Sequence, residues 1–190
     1  NLNGIYLGRL SGIVAHHVPN YLRKNNLPTF KTNSIEDWEL KVDKICDETI
    51  NENMTVIGGI PSWVQMYFEK ILKKAKKKNL TDIFHDFNLF IYGGVNFLPY
   101  KNIFKDLIGK EIDTVEYYPA SEGFFAYQNS QSEKSLLLQY DSGIFYEFIS
   151  INDVNEKEKI IDLSEVKLGI NYALLITTNS VLWRYKIGDT

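Results

Sequence analysis

The chain has 190 residues, of which 44% are hydrophobic and 14% aromatic, so it can bury a substantial core and is not an intrinsically disordered segment. Its 21 basic and 24 acidic side chains are mixed along the sequence and leave a net charge of -3, which argues against a nucleic-acid partner and favours small molecules. The single cysteine, Cys46, excludes an internal disulfide and a thiolate metal cluster.

The sequence also bears on location and completeness. It has no secretory leader and no apolar run of about 18 residues, so we expect no membrane partner. The lone cysteine suits a reducing, cytoplasmic compartment. The chain opens on Asn1 without Met and ends on Thr190 inside what resembles an ordered motif, so we expect both ends to be cuts in a longer protein.

The predicted elements follow an irregular lead-in over residues 1–33. Ser34 and Asp37 form an N-cap and N3 pair, and the apolar residues that follow at helical spacing predict an amphipathic helix. The short apolar run Met54–Ile57 then ends at a glycine pair, and Pro61 opens a second helix. A strand that leads into a helix through glycines is half of a parallel strand-helix-strand unit.

The same strand-to-helix pattern repeats further along the chain. Leu89–Tyr92 is a buried-strand run, Gly93-Gly94 ends it, and the helix that follows stops at Gly109. Thr114–Tyr118 is predicted to be a third strand. We count three strand-to-helix steps, which imply right-handed crossovers in a parallel, doubly wound sheet over residues 34–123.

Residues 124–190 have a different pattern. Apolar segments separated by turn signals predict strands suited to antiparallel pairing, at Ser135–Gln139, Ile144–Ile149, Tyr172–Thr178 and Leu182–Ile187. The charged stretch Asn155–Lys159 is predicted to be a surface loop. The predicted fold class is α/β, with one domain fragment over residues 1–190 in which a parallel, doubly wound sheet with flanking helices precedes a mostly antiparallel β portion.

The segments that follow strands are the candidates for a site, because ligands of open parallel sheets bind beyond the carboxyl ends of the strands. Gly93 and Gly94 follow the second strand, and residues without side chains let the backbone approach a ring or a phosphate closely. The alternative is that this pair only makes a tight turn.

Two further segments carry polar groups at strand ends. Tyr118, Ser121 and Glu122 offer a ring that can stack on a base, a hydroxyl that can donate to a phosphate and a carboxylate that can hold Mg²⁺. The alternative is that Ser-Glu before Gly123 caps a helix. Asp189 follows the last predicted strand and could accept both hydroxyls of a ribose, or act only as a turn former.

In their order and spacing these three segments resemble the adenylate-forming superfamily and, within it, the central part of the acyl acid amido synthetases. These enzymes form the Gretchen Hagen or auxin-responsive promoter family, which occurs in plants and bacteria. The resemblance runs from about Ser34 to Thr190, and its last motif is the most distinctive. The motifs that carry it are Gly59–Trp63, Gly93-Gly94, Tyr118–Phe125, Tyr140–Phe148, Thr177–Asn179 and Leu182–Thr190.

The resemblance implies that the chain contributes to an ATP and Mg²⁺ site. Tyr118 would stack on adenine, and Gly93 and Gly94 would border the same ring. The catalytic residues would be Ser121, which would contact the α-phosphate or the acyl carboxylate, and Glu122, which would be the metal ligand.

The resemblance also implies that Asp189 holds the ribose, with Arg184 and Tyr185 in support. Asp189 would face the groups near position 120 across a single cleft large enough for AMP. Two positions depart from the family's pattern. Pro119 stands where a small or polar residue is usual, and Val181 stands where glycine is usual, which affects the backbone path that follows it.

The activity implied is that of an ATP-dependent acyl-adenylating ligase. A carboxylic acid would attack the α-phosphate of ATP, pyrophosphate would leave, and an amino acid amine would then attack the acyl-adenylate. The expected partners are therefore a small-molecule carboxylic acid and an amino acid. The family's phosphate loop and C-terminal lid are not in this sequence, so we expect the isolated fragment to be inactive. Two alternatives stay open, an acyl-coenzyme A ligase of the same superfamily and a non-catalytic nucleotide-binding, acyl-binding or scaffold domain.

Overall fold

The computed structural model describes residues 17–151 and 159–188. These residues divide into two compact units. Unit 1 holds residues 17–121 and 127–136, and unit 2 holds residues 122–126, 137–151 and 159–188. Of the predicted surface loop Asn155–Lys159, all but the last residue lies outside the described ranges.

The helices at the start of unit 1 begin and end differently from the prediction. Two short helices, α1 (Asn20–Arg23) and α2 (Phe30–Asn33), lie within the predicted irregular lead-in. The predicted amphipathic helix is α3 (Trp38–Thr49), and its N-cap is Asp37, whose side chain accepts a hydrogen bond from the first turn of the helix. The predicted pairing of Ser34 with Asp37 is wrong, because Ser34 closes α2 instead.

The first strand-to-helix step of unit 1 is confirmed. Strand β1 (Val56–Gly58) leads into α4 (Pro61–Ala75). Pro61 occupies the first helical position, where its missing N–H costs no intrahelical hydrogen bond. The helix ends where Lys76 takes up a left-handed conformation with φ of 53°.

The second step is confirmed as well. Strand β2 (Leu89–Gly93) is followed by a 3₁₀ turn at Leu98–Tyr100 and by α5 (Lys101–Ile108). The helix stops at Gly109, whose φ of 87° suits a residue without a Cβ. Strand β3 (Asp113–Ala120) comes next, and β1, β2 and β3 lie side by side as parallel neighbours.

The third predicted strand-to-helix step is wrong. Ser121 and Glu122 form a two-residue turn, and strand β4 (Gly123–Tyr127) follows directly. A chain that turns in two residues and continues with buried Phe125 and Ala126 has no segment left for a crossover helix.

The core of unit 1 contains an aromatic cluster formed by side chains of its helices and parallel strands. Phe68 of α4 contacts Phe104 of α5 with ring centroids 5.4 Å apart, and Phe104 contacts Phe90 of β2 at 5.0 Å. All three side chains are buried. Each such side chain stabilises the fold by about 2 to 3 kcal/mol through the apolar area that it removes from water.

Unit 2 consists mainly of strands. In chain order these are β4 (Gly123–Tyr127, apart from its last residue), β5 (Leu137–Leu138), β6 (Ile144–Ser150), β7 (Ile160–Asp162), β8 (Tyr172–Thr178) and β9 (Tyr185–Lys186). Strands β7, β6, β8 and β9 form an antiparallel sheet in that order. The predicted fold class, parallel strands with helices followed by a mostly antiparallel β portion, is confirmed.

Two strands of unit 2 differ from the prediction in length. The predicted strand Ser135–Gln139 shrinks to β5, and the predicted strand Leu182–Ile187 shrinks to β9. The second difference has a local cause, because Arg184 has a φ of 46°, which no extended strand accommodates. Within the described ranges, no helix combines the length and apolar character needed to cross a membrane.

Candidate functional site

The carboxyl ends of β2 and β3 bring two of the predicted segments together in unit 1. Gly93 pairs with Tyr117 in parallel register. Because neighbouring parallel strands run to the same edge of the sheet, Gly93-Gly94 and Tyr118–Ser121 leave the strands at that edge. This is the edge at which open parallel sheets bind ligands.

The two glycines at this edge meet different requirements. A Cβ on Gly93 would lie 2.5 Å from the carbonyl oxygen of Tyr117 and 3.2 Å from Cδ of Pro119, so only glycine fits there. Gly94 has open space around it, and its φ of 81° is what favours glycine. Gly93 is the last residue of β2, and Gly94 lies in the bend that follows, where its backbone is exposed. The role of the pair beside a ligand stays a prediction.

The polar and aromatic groups after β3 lie partly open to solvent. Tyr118 is half-buried near the end of the strand, and Ser121 is exposed in the turn that follows. An exposed hydroxyl at the carboxyl end of a parallel strand is available to a phosphate. The stacking role of Tyr118 stays a prediction.

Glu122 begins unit 2 and is half-buried. The helix-capping alternative for Ser121-Glu122 is wrong, because the next residues form β4. Gly123 is required by packing, since a Cβ there would lie 2.8 Å from Cδ1 of Ile144 and 2.9 Å from Cε1 of Phe125.

The residues of the turn fit the chemistry of Mg²⁺. Glu122 offers hard carboxylate oxygens that solvent can still reach. In residues 17–151 and 159–188, no three His, Cys, Asp or Glu side chains are grouped so that they could hold a metal ion. Mg²⁺ usually binds one or two carboxylates together with phosphate oxygens and water, so one accessible carboxylate is a suitable protein ligand.

Arg184 makes a two-pronged ion pair with Glu147 inside unit 2. Its Nε donates to both carboxylate oxygens, at 3.1 and 2.9 Å, and its Nη2 donates to Oε1 at 2.8 Å. Glu147 is only 7% exposed. These hydrogen bonds and the charge of Glu147 raise the pKa of Arg184 above its already high value.

Glu147 was not predicted as a functional residue. It is separated from Arg184 by 37 positions, so local spacing does not connect the two residues. The sequence did contain an indication of this pair. Glu147 is the central residue of the apolar strand β6, and a carboxylate buried in such a strand requires a cationic partner.

The turn before Arg184 has an unusual backbone. Val181 has a φ of 72°, although it is β-branched and 77% exposed. The turn is held by a hydrogen bond from Thr178 N to the carbonyl oxygen of Leu182 at 2.9 Å. Val181 thus adopts a backbone conformation that suits glycine better than a β-branched residue.

The last residues of the described chain continue this segment. Tyr185 is 43% exposed and pairs with Ile176 of β8, and Ile187 N donates to the carbonyl oxygen of Leu174 at 2.9 Å. Asp189, the predicted ribose ligand, lies outside the described residues, so its role stays a prediction.

A cleft of about 960 Å³ in unit 1 was also not predicted. Its walls come from β2, α5, β3 and the segment 128–136. Inside it, the Tyr92 hydroxyl donates to Oε2 of Glu116 at 3.2 Å, and burial together with Glu116 raises the pKa of Tyr92 to about 12. Within the part of the chain that the structure describes, the cleft is not lined by Gly93, Gly94, Tyr118 or Ser121. It is therefore distinct from the predicted site.

The two sheets define the class of protein, an α/β fold shared with solved acyl acid amido synthetases. The structure of the GH3.15 acyl acid amido synthetase matches with a TM-score of 0.61 at 14% identity, over 89% of this chain and 40% of that one. The AtGH3.15 enzyme in complex with 2,4-DB matches with a TM-score of 0.56 at 14% identity, over 84% and 36%. At this identity the likeness establishes the fold alone.

Parts of the chain are also similar in sequence to known proteins. Residues 137–190 match the GH3 family central domain. The probable indole-3-acetic acid-amido synthetase GH3.1 of Oryza sativa subsp. japonica is 33% identical over an alignment of 84 residues, and the match covers 40% of this chain and 14% of the relative. The probable amido synthetase GH3.11 of the same plant is 32% identical over 84 residues, again 14% of its length. The predicted resemblance to the central part of the acyl acid amido synthetases is confirmed.

Proposed function

We propose that the full-length protein containing this chain is an ATP-dependent ligase that activates a carboxylic acid as acyl-AMP and transfers it to an amino acid amine. The observation that carries the proposal is the pairing of Gly93 with Tyr117. It places a backbone free of side chains beside a segment that bears a ring and a hydroxyl. The match of residues 137–190 to the family's central domain supports it.

Each group in unit 1 has a proposed role in binding the nucleotide. Gly93 and Gly94 let the backbone approach the adenine, and Tyr118 stacks on the ring. Ser121 donates its hydroxyl proton in a hydrogen bond to an oxygen of the α-phosphate or of the acyl carboxylate. These contacts orient the carboxylate for in-line attack, which is the main contribution a protein makes to this chemistry.

Glu122 is proposed to hold Mg²⁺ and not to act as a general base. The chemistry that Mg²⁺ would supply there is neutralisation of charge on the phosphate oxygens. A carboxylic acid substrate is already ionised near neutral pH, so its attack needs no base. Arg184 and Tyr185 are proposed to support ribose binding by Asp189.

The isolated 190-residue chain is proposed to bind ATP weakly and to turn nothing over. The donors to the triphosphate are expected in the family's phosphate loop, and closure by a lid completes such sites. The chain spans about a seventh of the length of the curated relatives it matches. Measurable amide synthesis by these 190 residues would refute this part of the proposal.

The test is exchange of labelled pyrophosphate into ATP by the full-length protein, screened against a panel of carboxylic acids. We expect exchange with at least one acid and its loss in Glu122→Ala, because the proposed metal ligand is removed. Glu52→Ala, which changes an exposed carboxylate just after α3, is the control and should keep wild-type exchange. Normal exchange by Glu122→Ala would refute the role of Glu122.

A second assay decides the acceptor. The acyl-adenylate formed with the best acid is offered separately to a panel of amino acids and to coenzyme A. Amide formation supports the proposal. Thioester formation without amide would assign the protein to the acyl-coenzyme A ligases, and no exchange with any acid would favour a non-catalytic domain.

A further inference from the structure

We propose that Glu147 is a positioning residue for the nucleotide site, because its carboxylate holds Arg184 and with it the segment Thr178–Gly188. This inference rests on the proposed function, in which Arg184 and Tyr185 support the ribose end of the site. It adds a residue that neither the sequence motifs nor the family match assigns to that role.

Glu147 is a buried carboxylate within unit 2. It is the central residue of β6, it pairs with Leu175 of β8, and it is 7% exposed. Beside it, Leu175, Ile149 and Ala173 form a small buried hydrophobic cluster. A carboxylate in such surroundings is unfavourable unless it is paired and hydrogen-bonded, so Glu147 requires its cation.

The ion pair of Glu147 with Arg184 has a well-defined geometry. Two different nitrogens of Arg184, Nε and Nη2, donate three hydrogen bonds of 2.8 to 3.1 Å to the carboxylate. A planar guanidinium held in this way is fixed in orientation as well as in position. The Arg184 side chain is 63% exposed, whereas that of Glu147 is 10% exposed. A buried carboxylate therefore fixes the position of an exposed arginine.

The backbone of Arg184 has a left-handed conformation. Its φ of 46° is a conformation that an L residue adopts only when its surroundings hold it there. Two contacts do so, the ion pair with β6 and a hydrogen bond of 3.1 Å from Arg184 N to Oγ1 of Thr177 on β8. Tyr185, the next residue, begins β9. Loss of the ion pair would therefore loosen Tyr185 together with Arg184.

The experiment compares the kinetics of pyrophosphate exchange in the full-length protein for wild type, Glu147→Gln and Arg184→Gln. Glu147→Gln keeps the shape of the side chain and removes its charge. We expect each variant to raise the KM for ATP about 10-fold or more, because misplaced binding groups cost that much, and to leave the KM for the acid within about twofold. A loss of folded protein alone would lower the rate and leave both KM values unchanged.

A double-variant cycle tests whether Glu147 acts through Arg184. In the Arg184→Gln background, Glu147→Gln should have no further effect on the KM for ATP, since the contact is already lost. Arg184→Lys keeps the charge but replaces the planar two-nitrogen fork with one compact ammonium, so it should give an intermediate KM and remain folded. Additive effects would overturn the inference.

The matched control is Glu165→Gln in the same unit. Glu165 pairs with Lys159 at 3.4 Å, and both side chains are largely exposed, so this change should leave both KM values at the wild-type level. An equal rise in the KM for ATP in Glu165→Gln would overturn the specific role of Glu147.

A readout independent of activity separates the inference from the proposed function. Amide hydrogen exchange should become faster over residues 178–188 in Glu147→Gln and stay unchanged over α4 of unit 1. Faster exchange there in a protein without ligase activity would leave the positioning role supported and the proposed function refuted. Unchanged hydrogen exchange, or an unchanged KM for ATP in an active enzyme, would overturn the inference.

Discussion

Gly93 lies against Tyr117 so closely that a Cβ on Gly93 would come within 2.5 Å of the Tyr117 carbonyl oxygen. The contact is with backbone, which cannot rotate away as a side chain can. The close approach of β2 and β3 at their carboxyl ends, where the proposed adenine site begins, therefore depends on the absence of a single side chain.

Gly93→Ala should destabilise the chain by about 1 to 3 kcal/mol, because the added methyl group forces β2 and β3 apart. Urea unfolding measures the loss. Gly58→Ala is the matched control on the neighbouring strand β1, where the nearest heavy atom to a new Cβ lies 3.8 Å away, and it should change stability by less than about 0.5 kcal/mol. Equal losses in the two variants would contradict the explanation.

Val181→Gly should stabilise the chain by about 1 kcal/mol, because it removes the strain of a β-branched residue at a φ of 72°. Thermal and urea unfolding check the gain. Ser180→Gly is the control in the same turn. Its φ is not positive, so it should lose stability through the greater freedom of the unfolded chain. A loss of stability in Val181→Gly would show that this turn is not strained.

Thr49→Val should destabilise the chain more than Tyr67→Phe does. Oγ1 of Thr49 donates to the carbonyl oxygen of Ile45 and lies 2.7 Å from the Tyr67 hydroxyl, which is therefore the donor in that contact. Valine leaves a buried tyrosine hydroxyl without its acceptor, at a cost of about 1 to 3 kcal/mol. Phenylalanine leaves Thr49 still bonded to Ile45 and should cost about 1 kcal/mol.

The double variant Thr49→Val with Tyr67→Phe provides the check on this hydrogen bond. It removes both partners, so it should be less destabilised than the sum of the single variants. Denaturant unfolding of all four proteins gives the coupling free energy. Strict additivity would mean that the contact contributes nothing to stability.

The stability of the chain should fall at alkaline pH because of Cys46. Burial raises the pKa of this thiol to about 11 from an ordinary value of 9.0. The unfolded chain therefore releases the thiol proton first. The stabilisation is fully present below pH 9 and is lost as the pH rises toward 11, by about 1 kcal/mol per pH unit.

The difference between wild type and Cys46→Ala isolates this effect from other groups that titrate at high pH. The difference in unfolding free energy should be constant below pH 9 and should move in favour of alanine above it. Since Cys46 is the only cysteine in the sequence and is fully buried, alkylation in native buffer should also be slow. Rapid alkylation at pH 8 would contradict the burial.

Local sequence signals predicted the elements of unit 1 well. Pro61 marks the start of α4, and Gly109 marks the end of α5, because each residue imposes its own backbone restriction whatever surrounds it. The prediction was wrong at Ser34, which has the composition of an N-cap and closes α2. Ser34 and Asp37 can both cap a helix, so the local sequence does not determine which of them begins α3. The short helix α2, which ends at Ser34, leaves Asp37 as the N-cap.

The segments after β2 and β3 were predicted as the candidate site from their position at strand ends and from the family resemblance, because each residue type taken alone also has an ordinary role in turns or caps. The predicted roles of Gly93, Gly94, Tyr118, Ser121, Glu122, Arg184, Tyr185 and Asp189 remain predictions. Glu147 was named only as part of the Tyr140–Phe148 motif and was given no role, because its partner is distant along the chain and such pairs are set by sheet register.

The sequence by itself determined where the parallel strands and their helices lie, because glycine, proline and apolar periodicity act on the backbone within a few residues. The tertiary structure decided that β4 follows the turn after β3 as a strand, since its Phe125 and Ala126 are buried and Gly123 leaves no room for a Cβ beside Ile144. It also decided that Arg184 meets Glu147, because a buried carboxylate finds its cation only when β6, β8 and β9 assemble into one sheet.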